Sequence, residues 1–196
     1  MDSRSKKTVS APVDGSAKAK AAKRRKKACR HIFFHLTNVF VIAAAVSLLT
    51  ASVLFPVLLV SGDSMEPGLN DGDLILLTRT HKLHPGNLVS FKWSDKTLLK
   101  RVIACPGDWV MIDETGRVYV NGKLLDEPYV SEFRLGESDV SYPLQVPDAN
   151  YFVMGDERLT SLDSRSTLVG CVGFDQIIGK GAVRIWPLNK LSLHLS

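Results

Sequence analysis

Between Ile32 and Val60 the chain contains no Asp, Glu, Lys or Arg. Within that run, Val39 to Val60 is interrupted only by Ser47, Thr50, Ser52 and Pro56. About 20 apolar residues suffice to cross the hydrocarbon core of a bilayer as a helix. A cleaved secretory signal also has a basic start and an apolar core, but its core runs to about 7–15 residues and closes on small side chains. This run is longer and closes on Phe55-Pro56-Val57-Leu58-Leu59-Val60, which favours a retained anchor. Pro56 is placed to kink or end the helix.

Charge is distributed unevenly around this run. Residues 1–31 carry eleven Lys and Arg against Asp2 and Asp14, while the rest of the chain has a net charge of −4. The cluster Lys23-Arg24-Arg25-Lys26-Lys27 has no interleaved aromatics and directly precedes the apolar run. It reads as a cytoplasmic retention signal rather than a nucleic-acid contact. Three segments follow: a basic cytoplasmic tail over 1–31, a transmembrane anchor over 32–60 and an extracytoplasmic domain over 61–196. The localisation expected is a cell membrane crossed once.

After Val60 the pattern changes to short apolar runs cut by Gly, Pro, Asn and Asp. Strands are predicted at 74–78, 88–93, 98–104, 109–112, 117–120, 151–154 and 182–185, with hairpin turns at Asp113–Gly116 and Asn121-Gly122. No long amphipathic helical pattern follows residue 61, so the outer domain is expected to be mainly β. The segment 126–147 is more polar and irregular. Of the three cysteines, Cys29 lies on the reducing side, and Cys105 and Cys171 read as small core residues rather than a disulfide framework. No Cys-x-x-Cys or histidine cluster suggests a metal, and no cofactor is implied.

Ser64 lies four residues beyond the apolar run, in Ser61-Gly62-Asp63-Ser64-Met65-Glu66-Pro67. A serine hydroxyl needs a base to become a useful nucleophile, and His81, His84 and His194 are poorly placed by sequence. A lysine can serve only if neutral, which costs about 4.6 kcal/mol at pH 7 unless burial lowers its pKa. In the strand predicted at 98–104, Lys100 alternates with Leu98 and Val102. It either snorkels outward or is desolvated among them.

These segments resemble type I signal peptidases, membrane-anchored Ser/Lys proteases. The first motif is similar to that family's nucleophile motif, and Lys100-Arg101-Val102-Ile103-Ala104-Cys105-Pro106-Gly107-Asp108 to its base motif. Gly155-Asp156-Glu157-Arg158-Leu159-Thr160-Ser161-Leu162-Asp163-Ser164-Arg165 is similar to its third motif. Val118–Lys123 and Glu127-Pro128-Tyr129 also look like its middle region. The resemblance covers residues 38–190 with the motifs in family order.

The resemblance implies a signal-peptidase/SOS-repressor-like β catalytic domain behind a single N-terminal transmembrane helix. It also implies roles: Ser64 as nucleophile, Lys100 as general base and Ser161 hydrogen-bonded to the lysine amine. The Ser64 backbone N–H would stabilise the oxyanion. Gly62 and Asp63 would flank the bound peptide, Met65 would pack the site, and Asp163 with Arg165 would form a structural ion pair. Some members carry a serine at the position of Gly62 as a further oxyanion donor, so the second donor here is unassigned.

The partners implied are preproteins carrying signal peptides with small residues at the first and third positions before the cut. The bilayer, proximity to the secretion machinery and no nucleic acid are implied as well. Two alternatives are a self-cleaving SOS repressor, which would be soluble and carry a DNA-reading helix, and a bitopic module that binds peptides by strand pairing.

Overall fold

The computed structural model describes residues 15–80 and 82–192, with side chains from residue 33 onward. Residues 1–14 of the expected tail, His81 and His194 lie outside the described residues. Helix α1 spans Gly15–Leu54. Its stretch Phe33–Leu54 has 22 residues and a mean hydropathy of 2.0. At 1.5 Å per residue this stretch measures about 33 Å, matching a hydrocarbon core of about 30 Å. Phe33, Phe40, Leu48 and Leu49 are all more than 60% exposed, and a helix apolar all round is stable only when surrounded by protein or lipid.

The expected anchor boundary at residue 60 is corrected here. The helix stops at Leu54, and Val57–Leu59 forms strand β1. Proline disfavours helical geometry at the residue before it and donates no backbone hydrogen bond, so Phe55-Pro56 ends the helix. The apolar run continues because β1 packs a partly buried Leu58 against the core while Val57 and Leu59 are exposed.

The domain after α1 is built from strands β1, β2 (Leu74–Thr78), β3 (Leu88–Trp93), β4 (Lys96–Ala104), β5 (Trp109–Ile112), β6 (Val118–Val120), β7 (Lys123–Leu124), β8 (Leu144–Gln145), β9 (Asn150–Met154), β10 (Val172–Gly173) and β11 (Ile177–Trp186). They form a seven-stranded sheet in the order β1-β2-β11-β3-β4-β9-β10 and a four-stranded sheet in the order β7-β6-β5-β8. All pairings are antiparallel. The irregular segment 126–147 contains only β8 as regular structure. The turn between β6 and β7 uses Asn121 and Gly122, both at positive φ, as a tight hairpin requires.

Two cores flank the site. Met65, Leu69, Ile75, Leu77, Leu88 and Leu99 pack together beside the loop after β1. Ile103, Ala104, Val110, Val118, Phe152 and Met154 join the two sheets. β4 contributes to both cores, and from Leu99 to Ala104 every residue is buried. A strand covered on both faces holds its side chains rigidly. Cys105 and Cys171 are free thiols: Cys171 packs against the core that joins the two sheets, and Cys105 against a third cluster that includes Val89, Phe91, Val102 and Val153.

Candidate active site

Ser64 sits in the loop joining β1 to β2. That loop is closed by its own hydrogen bonds: Val60 N–H to Asp73 O at 2.8 Å, Gly72 N–H to Val60 O at 3.0 Å, and Gly62 N–H to Asp71 Oδ1 at 2.8 Å. Gly62 has φ +88°, a conformation that side chains other than glycine rarely adopt. The turn Asp63–Glu66 is closed by Glu66 N–H on Asp63 O, and Met65 is sunk into the core at 1% exposure. Burying Met65 leaves the adjacent Ser64 half-buried with its hydroxyl at the surface of the core.

Lys100 lies in β4 opposite Val89 of β3. Only 3% of it is exposed, so it is desolvated rather than snorkelled. Its Nζ donates to Ser64 Oγ at 2.7 Å. Burial lowers its pKa from 10.5 to about 8, with the Asp163 carboxylate opposing the shift and Arg165 adding to it. At 1.36 kcal/mol per unit, neutralising this amine at pH 7 then costs about 1.4 kcal/mol.

The segment after β9 forms the third wall. Gly155 N–H donates to Asp163 Oδ2 at 2.9 Å, and Glu157 N–H donates to Ser64 O at 3.2 Å. A Cβ on Gly155 would lie 2.2 Å from Ser161 Oγ and 2.5 Å from Ser64 O, so only glycine permits this approach. Asp163 and Arg165 form a two-pronged ion pair at 2.9 Å on each arm. The Arg165 guanidinium also donates to the carbonyls of Leu135, Arg158 and Ser161, which stitches the segment into one shape.

The hydrogen bond expected between Ser161 and Lys100 is not made. Ser161 Oγ is buried without a partner, packed against Gly155, while the lysine amine is directed to Ser64. Gly62 and Asp63 lie exposed on the approach to Ser64. A small cavity of about 70 Å³ beside the Ser64–Lys100 pair is lined by Leu58, Val60, Met65, Leu98 and Leu99 among others. β1 and β4 are separated in the sheet by β2, β11 and β3. Residues of both strands nevertheless line this cavity.

Sequence reasoning missed a buried charged network behind Lys100. Arg101 makes a two-pronged pair with Asp156, at 2.9 and 2.7 Å, and stacks on the Tyr129 ring at 4.0 Å. Glu127 pairs with Arg158 and accepts from Tyr129 Oη at 3.0 Å. Burial raises the Asp156 pKa against the opposing pull of Arg101, and burial beside Glu127 raises that of Tyr129.

A buried lysine amine on a serine hydroxyl, in a β domain behind an apolar helix, is a pairing suited to nucleophilic chemistry, and comparison with known proteins gives the chain a family. The model of the family described as signal peptidase, peptidase S26, matches residues 33–186. The chain is 34% identical over 176 residues to signal peptidase I of Bacillus licheniformis, covering 83% of this chain and 93% of the relative. It is 38% identical over 165 residues to signal peptidase I T of Bacillus subtilis, covering 77% and 84%. A crystal structure of a signal peptidase I from Enterococcus faecalis aligns with 27% identity and a TM-score of 0.42, over 52% of this chain and 97% of that one. The chain belongs to the signal peptidase family S26.

Proposed function

We propose that this protein is a membrane-anchored serine endopeptidase that removes signal peptides from exported preproteins, with Ser64 as nucleophile and Lys100 as general base. The observation carrying this reading is the 2.7 Å contact between a buried, pKa-lowered amine and a hydroxyl at the edge of a cavity. The neutral Lys100 amine takes the Ser64 proton as Oγ bonds to the scissile carbonyl carbon. The resulting oxyanion accepts from the Ser64 backbone N–H. Collapse breaks the C–N bond, Lys100 returns the proton to the leaving amine, and an acyl-enzyme remains. Lys100 then deprotonates the water that releases the peptide and regenerates Ser64. The unpartnered Ser161 hydroxyl receives the amine when Ser64 Oγ is acylated and no longer accepts from it. Asp163 and Arg165 hold the segment that carries it.

The substrate would lie extended between Gly62-Asp63 and the first residues of β4, pairing through its backbone. A cavity of about 70 Å³ bounded by Leu58, Val60 and Leu99 suits a methyl-sized side chain and excludes larger ones. This supports the preference for small residues at the first and third positions before the cut. The basic tail favours an N-terminus in the cytoplasm and the β domain outside, close to where the secretion machinery delivers preproteins. The testing experiment is cleavage of a preprotein in membranes by the wild type, Ser64→Ala and Lys100→Ala. Loss of cleavage with retained membrane insertion supports the reading, whereas cleavage by either variant refutes it.

A further inference from the structure

A groove on the β domain shares no lining residue with the cavity beside the dyad and has its own chemistry. It has a volume of about 580 Å³ and is lined by Arg79, Lys92, Asp175, Gln176 and the stretch Ile177–Gly179. A register shift between Ile177 and Gly179 in β11 breaks the regular pairing with β3 at this point. Bulges of this kind bend a strand and redirect its side chains. Arg79 and Lys92 are exposed and, among the described residues, neither forms an ion pair. Gln176 uses its carbonyl to accept from Gly173 N–H at 2.8 Å, which leaves its amide group as a donor.

Strand register fixes where this groove lies. Thr78 pairs with Lys180, Ile177 with Phe91, and Lys92 with Thr97. These pairs share one end of the large sheet. Leu77 N–H donates to Pro56 O at 2.8 Å, so the chain enters the domain from α1 at that same end. Only Phe55 and Pro56 separate Leu54 from β1, about 10 Å of chain at full extension.

We propose that this groove binds the headgroup of an anionic phospholipid of the membrane that α1 spans. The inference rests on the reading of Phe33–Leu54 as a membrane span, and it is independent of the peptidase chemistry. Arg79, as a flat fork, and Lys92, as a point charge, contact the phosphodiester, with the Gln176 amide as a neutral donor. Asp175 limits the net charge of the groove to about one positive unit, enough for a headgroup carrying a single negative charge. A zwitterionic headgroup offers no net charge to that field. Such a contact orients the domain on the membrane through a group other than the dyad.

The test uses the full chain in nonionic detergent micelles, with bound lipid counted by native mass spectrometry. The probes are short-chain phosphatidylglycerol, short-chain phosphatidylcholine and soluble glycerol 3-phosphate. Each basic side chain near a membrane surface contributes about fivefold in affinity. Arg79→Gln with Lys92→Gln should therefore weaken phosphatidylglycerol about 25-fold, and Asp175→Asn should strengthen it about fivefold. Phosphatidylcholine and glycerol 3-phosphate should bind at least tenfold more weakly than phosphatidylglycerol. Ser64→Ala should leave lipid affinity unchanged, which separates failure of the lipid site from failure of the peptidase reading. Equal affinity of the double variant and wild type, or equal binding of phosphatidylcholine, would overturn the proposal. Equal binding of glycerol 3-phosphate would overturn it in favour of a free-phosphate site.

Discussion

Lys100 Nζ and Ser64 Oγ lie 2.7 Å apart although 36 positions separate them along the chain. The loop carrying Ser64 leaves β1, at the edge of the large sheet, while Lys100 sits on β4, with β2, β11 and β3 between. No backbone ladder therefore sets this distance. It depends on tertiary packing, including the two residues that pin Ser64: the buried Met65 beside it and Glu157, whose N–H donates to the Ser64 carbonyl.

The proposed role of Lys100 as general base predicts how cleavage depends on pH. Its pKa of about 8 makes the neutral amine a minor species at pH 7. We expect kcat/KM on a preprotein to rise about tenfold per pH unit below 8 and to flatten above about 9. A profile flat from pH 6 to 9, or one that rises only near the unperturbed lysine value of about 10.4, contradicts this assignment.

The same shift is a statement about stability. The folded pKa of Lys100 is lowered, so between about 8 and 10.5 the unfolded chain binds more protons than the folded one, and stability rises with pH through that window. Below about 8 both states are protonated and the full penalty, about 3 kcal/mol, is present. Lys100→Met should therefore be inactive yet more stable than wild type by about 3 kcal/mol at pH 7. The difference should shrink towards pH 10.5. Thermal unfolding of both proteins across this range measures it, and a less stable methionine variant at pH 7 would contradict the desolvated amine.

Gly155→Ala tests the close approach of the third wall. The added methyl would meet Ser161 Oγ at 2.2 Å and Ser64 O at 2.5 Å. Relieving that overlap displaces the serine loop, and a displacement of about 1 Å costs about 100-fold in rate. We expect kcat/KM to fall by that order while stability falls by about 1–3 kcal/mol. Unchanged turnover would show that the wall does not position Ser64.

Glu127→Gln probes the buried network behind Lys100. It leaves the Arg158 guanidinium, 1% exposed, without its carboxylate. Breaking one side of a buried pair costs about 3–5 kcal/mol, so the melting temperature should fall by about 10 °C. A melting temperature within a degree of wild type would show that the pair is not a structural element.

Much of the large sheet was legible in the sequence because β2, β3, β4 and β9 are apolar runs bounded by Gly, Pro, Asn and Asp. β1 was not, since its apolar residues continue the membrane span and only Pro56 marks the change. The short strands β7, β8 and β10 carry too few residues for a pattern. Ser64 and Lys100 were approachable through motif resemblance and the alternation around Lys100, but their contact is a tertiary fact. The pairings of Glu127 with Arg158 and of Arg101 with Asp156 escaped notice because isolated charges read as surface. The Glu127-Pro128-Tyr129 stretch inside an otherwise irregular segment was the one available signal. The unbonded Ser161 hydroxyl depends on side-chain placement that no periodicity encodes.

The most direct test is acylation of Ser64 by a serine-directed inhibitor, followed by intact-mass and peptide mapping in the wild type and Lys100→Ala. The account predicts a single adduct on Ser64, forming at a rate that rises through about pH 8 and lost in the alanine variant. Labelling that maps to another residue, or that proceeds at the wild-type rate without the lysine, would contradict it.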